Sequence, residues 1–106
     1  MPSEEKPYDV KITDSAWEQL IEHARFLANA SVDAAYRLID DFVNSTGTLT
    51  QMPERCPWLV HEAIPFQKYR KIFLGKYHMA LFEIRGDIVY VTAVVDCRQD
   101  YSWLIQ

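Results

Sequence analysis

The amino-acid sequence predicts a small α+β domain in which an antiparallel two-helix hairpin packs on one face of an antiparallel sheet, in the order β-α-α-β-β-β. Three patterns predict it: a short period-two segment, then two amphipathic stretches of helical period, then three β-rich apolar runs. With 106 residues, 49% of them hydrophobic, the chain has the composition of a folded protein with one hydrophobic core. We expect a loose tail over residues 1–7 and a single domain over residues 8–106.

The N-terminal part of the domain is predicted to be one strand followed by one helix. Residues 8–13 alternate apolar and polar side chains, as a half-buried strand does. Apolar residues then recur at helical spacing over residues 15–29. Asp14 or Ser15 is the expected N-cap of this helix, and Ser15 with Glu18 fits the capping box.

A second helix is predicted directly after the first, forming a hairpin with it. Ser31 or Asp33 is its expected N-cap, and the helix either ends at Gly47 or continues to Gln51. Three prolines over residues 52–67 exclude a regular element there and predict a connection that crosses the surface.

Three strands are predicted in the remaining sequence, over residues 69–74, 77–84 and 88–95. These runs are rich in β-branched and aromatic residues. Residues 75–76 and 85–87 separate them, and each of these short segments contains a glycine that can close a hairpin. The three strands should therefore form an antiparallel meander.

The charge balance argues against a protein whose whole surface binds nucleic acid. Eleven basic and fifteen acidic residues give a formal net charge of −4, and the pI is about 5.2. Residues 1–55 hold five basic and ten acidic residues, whereas residues 56–106 hold six and five. A polyanion would therefore meet the second half of the chain.

Neither cysteine usage nor hydropathy indicates a metal site, a disulfide framework or a membrane segment. Cys56 and Cys97 lie far apart and outside any CxxC pattern. The longest apolar run, residues 88–95, is far too short to span a bilayer, and the polar N-terminus lacks the apolar core of a signal peptide. We therefore expect a reduced cytoplasmic protein without cofactor, metal or membrane partner.

Four local strings occur in order along residues 8–101. They are Ala34-Ala35 with Leu38 and Ile39; Met52-Pro53-Glu54-Arg55; Tyr69-Arg70-Lys71-Ile72 leading through Gly75-Lys76-Tyr77-His78 to Leu81-Phe82; and Val94-Val95-Asp96-Cys97-Arg98-Gln99-Asp100-Tyr101. In this order and spacing they resemble the RelE/ParE family of toxins from bacterial type II toxin–antitoxin systems, the plasmid-stabilisation type.

The resemblance implies a prokaryotic cytoplasmic toxin that a cognate antitoxin neutralises with an extended or helical segment wrapped over it. RelE-type members cleave mRNA in the ribosomal A site, whereas ParE-type members inhibit DNA gyrase. The implied partners are therefore the antitoxin and either DNA gyrase or the ribosome with its mRNA.

Candidate catalytic residues follow from the same resemblance, on the hypothesis of RNA cleavage by 2′-hydroxyl attack. His78 is the candidate base or acid, because imidazole titrates near neutrality. Arg98 and Arg70 are candidates for clamping the phosphate, and Tyr101 for stacking on a base or donating a proton. Lys71 neighbours Arg70 on one strand, so the two side chains should point to opposite faces.

His78 and Arg98 also have a purely structural interpretation. His78 can form a hydrogen bond within the fold, and Arg98 can form a salt bridge with Asp96, Asp100 or the chain end. Trp58, in the proline-rich connection, either closes the edge of the core or meets a partner.

Departures from the family pattern favour a ParE-like inhibitor of a protein target such as DNA gyrase. His78 stands where nucleolytic members usually have arginine, and no catalytic glutamate is identifiable. Asp96 stands where many members have histidine, and Cys56 where many have glycine. The negative net charge also disfavours ribosome binding. The alternatives are a ribosome-dependent mRNA endoribonuclease that uses His78 and Arg98, and an inactive binding member of the family.

Overall fold

The order of elements along the chain confirms the predicted α+β fold. A computed structural model describes residues 7–99 and Leu104; the remainder of the predicted tail, residues 1–6, lies outside the described residues. The elements are β1 (Asp9–Ile12), α1 (Asp14–Ala28), α2 (Val32–Gly47), short 3₁₀ turns at Thr48–Thr50 and Pro53–Arg55, β2 (Arg70–Leu74), β3 (His78–Arg85) and β4 (Ile88–Asp96). Each predicted strand and helix is present, and the ends of the strands and of α1 lie within one residue of those predicted.

The four strands form one sheet in the order β1-β4-β3-β2. The pairs β2–β3 and β3–β4 are antiparallel, as predicted for the meander. β1 differs, because it runs parallel to β4, with Asp9 opposite Ile88 and Ile12 opposite Val91. A period-two pattern identifies the side chains that face the core, here Val10 and Ile12, but it says nothing about strand direction.

Both predicted hairpin turns contain a glycine in the left-handed region of backbone conformation. Gly75 has φ +65° and Gly86 has φ +62°, which side-chain-bearing residues rarely adopt. Gly75 also lies against α2: a Cβ placed on it would come within 3.1 Å of the Asp41 Oδ2 atom. The β2–β3 turn is thus held close to the second helix.

A β-bulge at Thr92 changes which side chains of β4 face the helices. Phe82 pairs with Val91 and Leu81 pairs with Ala93, so Thr92 is an extra residue on β4. Before the bulge, odd-numbered residues such as Val91 pack in the helix-facing core, whereas after it the even-numbered Val94 does. Asp96 consequently shares the helix-facing side with Val94.

Buried side chains form two clusters, one on each face of the sheet. The helix-facing cluster contains Ala16, Leu20, Leu38, Phe42, Leu49, Cys56, Leu74, Ala80, Phe82, Val89, Val91 and Val94. The second cluster contains Leu59, Ile64, Tyr69, Met79, Leu81, Ala93 and Val95, with Leu104 packed against it. The proline-rich connection therefore does more than cross the surface, because its apolar residues cover the second face of the sheet.

The N-cap of α1 is Thr13, so the expectation of Asp14 or Ser15 is wrong. The Thr13 hydroxyl accepts a hydrogen bond from the Ala16 N–H at 3.2 Å, and its carbonyl accepts one from the Trp17 N–H at 3.1 Å. The helix begins one residue earlier than predicted because Thr13 still has the extended backbone of β1. At the start of α2, the N-cap is Ser31, one of the two predicted residues.

The second helix combines the two endings that the sequence left open. At the start of this helix, the Ser31 hydroxyl accepts a hydrogen bond from the Ala34 N–H at 3.1 Å. The helix ends at Gly47 and continues as a 3₁₀ turn to Thr50. Leu49 from this turn is fully buried in the helix-facing cluster.

Substitution of the two hydroxyl residues at the start of α1 tests the cap assignment. We expect Thr13→Ala to lower the free energy of unfolding by about 1 kcal/mol, because the Ala16 N–H loses its acceptor. Ser15→Ala is the matched control and should change it by less than about 0.5 kcal/mol. Urea denaturation measures both values, and an equal or larger loss for Ser15→Ala would contradict the assignment.

Candidate functional site

His78 and Asp96 face each other where β3 begins and β4 ends. They are partners in the antiparallel register, and the Thr92 bulge places the Asp96 side chain on the helix-facing side, where the His78 side chain also lies. The two side chains are almost completely buried, with 7% and 6% of their residue surfaces exposed. The His78 Nε2 atom lies 3.9 Å from the Asp96 Oδ2 atom.

Arg98 lies at this end of the sheet and forms a salt bridge with Asp96. Its Nε and Nη2 atoms donate to the two carboxylate oxygens at 3.0 and 2.9 Å, and its backbone N–H donates to Oδ1 at 2.9 Å. The guanidinium also stacks over the Tyr77 ring, 4.3 Å from its centroid. These hydrogen bonds hold the pKa of Asp96 below its ordinary value and raise that of Arg98. The structural interpretation of Arg98, a salt bridge to Asp96, is thus confirmed.

The surroundings of the His78 ring favour its uncharged form. Burial lowers the pKa of His78 below 6.5, and the nearby His23 and Arg98 side chains act in the same direction, whereas the Asp96 carboxylate opposes them. A general base must come within about 3 Å of the proton that it removes, and a buried ring offers little surface for that approach.

Two polar side chains of α1 complete the surroundings of His78. His23 packs its ring edge-on against the His78 ring, with centroids 5.3 Å apart, and its Nε2 atom donates to the Val94 carbonyl at 3.2 Å. The Gln19 Oε1 atom accepts from the Val94 N–H at 2.8 Å. Both contacts lie just after the bulge, so α1 supplies hydrogen-bonding partners where the β4 backbone is irregular.

Sequence reasoning missed Gln19 and His23. Gln19 directly precedes Leu20 and His23 directly precedes Ala24 in α1, at positions where polar residues normally face solvent. Their spacing of four residues places both on one side of the helix, and this is the weak signal that the sequence carries.

The structure does not bring Arg70 to His78 and Arg98. Arg70 is paired with Phe82, which is four residues from His78 along β3. Arg70 and His78 are therefore about 13 Å apart along the sheet. Its Nη1 atom donates to the carbonyls of Glu54 and Cys56 at 3.1 and 2.7 Å.

Trp58 gives Arg70 a further contact. The Trp58 ring stacks on the guanidinium, 3.9 Å from ring centroid to Cζ, and the two residues also share an isolated β-bridge. Arg70 and Trp58 together fasten the proline-rich connection to the edge of the sheet.

Lys71 has an aromatic neighbour on its own strand. The Lys71 ammonium is 5.6 Å from the centroid of the Phe73 ring. Tyr101 lies outside the described residues, and its catalytic role stays a prediction.

A groove of about 410 Å³ opens beside the Asp96–Arg98 pair. It runs between the helical hairpin and the β2–β3 turn. Its apolar lining includes Leu27, Leu38 and Leu74, and its cationic lining consists of Arg37, Lys76 and Arg98. The sequence gives no signal for Arg37, because an exposed arginine on a helix is ordinary.

The fold defines a class, the small α+β domains built from a strand, a helical hairpin and a three-stranded meander. A chain of the solved structure described as a chromosomal ParDE TA system from P. aeruginosa has this fold, with a TM-score of 0.66 and 18% identity. The match covers 84% of this chain and 95% of that chain. A search of curated proteins finds no match.

The chain belongs to the ParE toxin family of type II toxin–antitoxin systems. The family described as "ParE toxin of type II toxin-antitoxin system, parDE" matches residues 10–101, nearly the whole domain. The resemblance seen in the sequence is confirmed, and the protein is the toxin component of such a system, with an antitoxin as its partner.

The described residues contain neither a membrane-spanning helix nor a cluster of metal-ligating side chains. No described helix is both long enough and apolar enough to cross a membrane. Residues 7–99 and Leu104 contain no group of three or more metal-ligating side chains.

The buried His78 ring should make stability depend on pH. Its folded pKa lies below the ordinary 6.5, so the unfolded chain binds the proton first as the pH falls. We expect the free energy of unfolding to decrease from about pH 7.5 to about pH 5.5, by at most about 1.4 kcal/mol per pH unit from this group. Asp96, whose pKa is also lowered, contributes a separate decrease in the free energy of unfolding when the pH falls below the ordinary aspartate pKa of 3.8.

Urea denaturation across this pH range, with two variants, checks the assignment to His78. His78→Gln should remove the His78 contribution to the slope, whereas the control His61→Gln, in the proline-rich connection, should retain it. An unchanged slope in His78→Gln would show that another group is responsible.

Replacement of Arg70 should reveal its structural role. We expect Arg70→Ala to lower the free energy of unfolding by about 2 kcal/mol, because two loop carbonyls lose a charged donor. Arg70→Lys should recover only part of this, since an ammonium cannot reproduce the planar stack on Trp58. Thermal and urea denaturation measure the loss; wild-type stability for Arg70→Ala would refute the role.

Proposed function

We propose that this toxin inhibits growth by binding a protein target in the cytoplasm, with DNA gyrase as the first candidate, until its cognate antitoxin neutralises it. Membership of the ParE family supports this choice of target class. The geometry of the site supports it independently.

The observation that carries the proposal is the engagement of Arg98 by Asp96. Cleavage of RNA requires a base near the 2′-hydroxyl, an acid at the leaving oxygen, and positive charge on the transition state. Here two of the Arg98 donors are used by a carboxylate, which also neutralises its charge, and the His78 ring is buried. Arg70 is bound to backbone carbonyls at another part of the sheet. The arrangement is better suited to holding the end of the sheet than to cleaving a phosphodiester.

The surface also favours a protein partner. A net charge of −4 gives a polyanion little overall attraction. Large apolar side chains are instead exposed on the helical hairpin and on the proline-rich connection; they include Ile21, Phe26, Val32, Tyr36, Val43, Val60 and Phe66. Exposed apolar groups of this kind are typical of surfaces that contact other proteins.

Two assays with the purified protein distinguish the target classes. We expect the toxin to inhibit supercoiling of relaxed plasmid by DNA gyrase in proportion to its concentration. In a parallel reaction with translating ribosomes, mapping of mRNA ends should show no new cleavage. His78→Ala, Arg98→Ala and the matched control Arg85→Ala are assayed together. Arg85 is also an arginine two residues after its acidic partner, Glu83, but it lies at the opposite end of β3.

The proposal would be overturned in favour of a ribosome-dependent endoribonuclease by one pattern of results. The wild-type protein would cleave mRNA in the A site, His78→Ala or Arg98→Ala would abolish this cleavage, and Arg85→Ala would retain it. Growth arrest without either activity would exclude DNA gyrase and point to a different protein target. Absence of growth arrest on expression of the intact chain would identify an inactive binding member of the family.

A further inference from the structure

The helices α1 and α2 meet along an outer crevice on the solvent side of the hairpin, where apolar side chains remain wholly or partly exposed. The crevice is lined by Trp17 and Ile21 of α1 and by Val32, Tyr36, Ile39 and Val43 of α2. We propose that it docks an amphipathic helix of a partner protein whose apolar stripe is flanked by lysine or arginine. The chemistry of this helix rests on the outer crevice alone, so it does not depend on which protein is the target of the toxin.

The second helix has more apolar residues than its buried face requires. The buried face includes Leu38 and Phe42, which belong to the helix-facing cluster. A second apolar stripe recurs at steps of four, three and four residues, so its members lie on one side of the helix over about 17 Å. These members are Val32, Tyr36, Ile39 and Val43. Tyr36 is 64% exposed and Val43 is 54% exposed, so much of this stripe is open to solvent.

Two apolar residues of α1 continue the stripe across the hairpin. The Trp17 ring packs against the Phe42 ring of α2, with centroids 5.3 Å apart, so this side of α1 faces α2. Ile21 lies one turn further along the same side. In both helices the stripe residues directly follow buried ones, such as Leu20 and Phe42, so antiparallel packing turns the two stripes towards each other. The exposed fractions of Trp17 and Ile21, 39% and 45%, show that the crevice between the stripes is open.

The flanks of the outer crevice are acidic. The helix positions that border the two stripes carry four acids, Asp14, Glu18, Asp33 and Asp40, and one base, Arg25. All five residues are exposed, and within the part of the chain that the structure describes none of the four acids takes part in a salt bridge. This excess of negative charge attracts a partner with basic residues on both sides of its apolar stripe.

The charge of the flanks argues against other occupants of the outer crevice. A second copy of the chain would bring the same acids to the crevice, and the two sets would repel each other. Nucleic acids and membranes that contain anionic lipids would be repelled for the same reason, since both bind through basic residues. A protein segment that combines apolar and basic side chains matches the crevice and its flanks together.

The shape of the outer crevice favours a helix over an extended segment. Two antiparallel helices leave a groove into which the side-chain ridge of a third helix can pack. An extended segment would bring unpaired backbone N–H and C=O groups, whereas α1 and α2 use their own backbone groups within the helices. The stripe of α2 spans about three turns, so a partner helix of about 14 residues covers it. Docking would convert the hairpin into a three-helix layer.

The test uses the intact, isotope-labelled toxin and synthetic peptides, followed by amide NMR spectra and fluorescence titration. The probe is acetyl-(Lys-Leu-Ala-Ala-Leu-Lys-Ala)₂-amide, which places leucine on one helix face and lysine on both flanks. One control has glutamate in place of lysine, and the other has the same composition in an order that breaks the helical period. We expect the probe to shift the amide signals of the outer crevice and to become helical on binding. It should bind at least about tenfold more tightly than either control.

Matched variants of the toxin locate the binding site. Tyr36→Ser should weaken binding of the probe about tenfold or more, whereas Phe26→Ser, which removes an exposed ring from another side of α1, should not. Glu18→Lys and Asp40→Lys, made together, should weaken binding by about the same factor. Glu62→Lys, an exposed acid of the proline-rich connection, should change it by less than about twofold. Circular dichroism establishes that each variant is folded.

Several outcomes would overturn the proposal: no binding at millimolar probe, amide shifts confined to another surface, an extended bound peptide, or unchanged affinity in Tyr36→Ser and in the double lysine variant. Equal or tighter binding of either control peptide would also overturn it, because the apolar stripe and its basic flanks would then not be what the crevice selects. Inhibition of DNA gyrase is scored separately, so a failure of the gyrase target and a failure of this proposal are distinguishable.

Discussion

Burial of both faces of the β3–β4 pair is the constraint on which the rest of the structure depends. The first five residues of β3, from His78 to Phe82, are all buried, so apolar cover is needed above and below the sheet. The helical hairpin provides one cover, and the proline-rich connection with Leu104 provides the other. The polar group of His78, Asp96 and Arg98 lies where this double cover ends, and there the buried Asp96 carboxylate accepts hydrogen bonds from the Arg98 guanidinium and backbone N–H.

The periodicity of apolar residues in the sequence was sufficient to predict the helices and strands, but it was insufficient to predict their detailed geometry. The amphipathic stripes and glycine turns predicted both helices, the meander and both hairpins. The bulge at Thr92 was invisible, because residues 88–95 are apolar on both faces and a shift of one residue leaves such a pattern unchanged. The direction of β1 relative to β4 could not be predicted from the sequence either, since it is determined by the path of the helical hairpin that follows β1.

The candidate site was predictable only where its partners are close in sequence. The Asp96–Arg98 pair is separated by two residues and was among the interpretations considered for Arg98. The family resemblance drew attention to His78, but its burial comes from α1, more than fifty residues away. Arg70 contacts the carbonyls of Glu54 and Cys56, and backbone carbonyls have no sequence signature. Distant elements, rather than local motifs, determine what each charged residue does.

The parallel pairing of the first strand with the last has a consequence for the timing of folding. During synthesis β1 is the first strand of the sheet to leave the ribosome, whereas its partner β4 is the last. Two residues of the helix-facing core, Val89 and Val91, arrive equally late. Contacts so distant in sequence slow folding, because loop closure must precede them. A toxin with this topology cannot complete its sheet until β4 has been synthesised, so the cell meets its finished surface only after all four strands have left the ribosome.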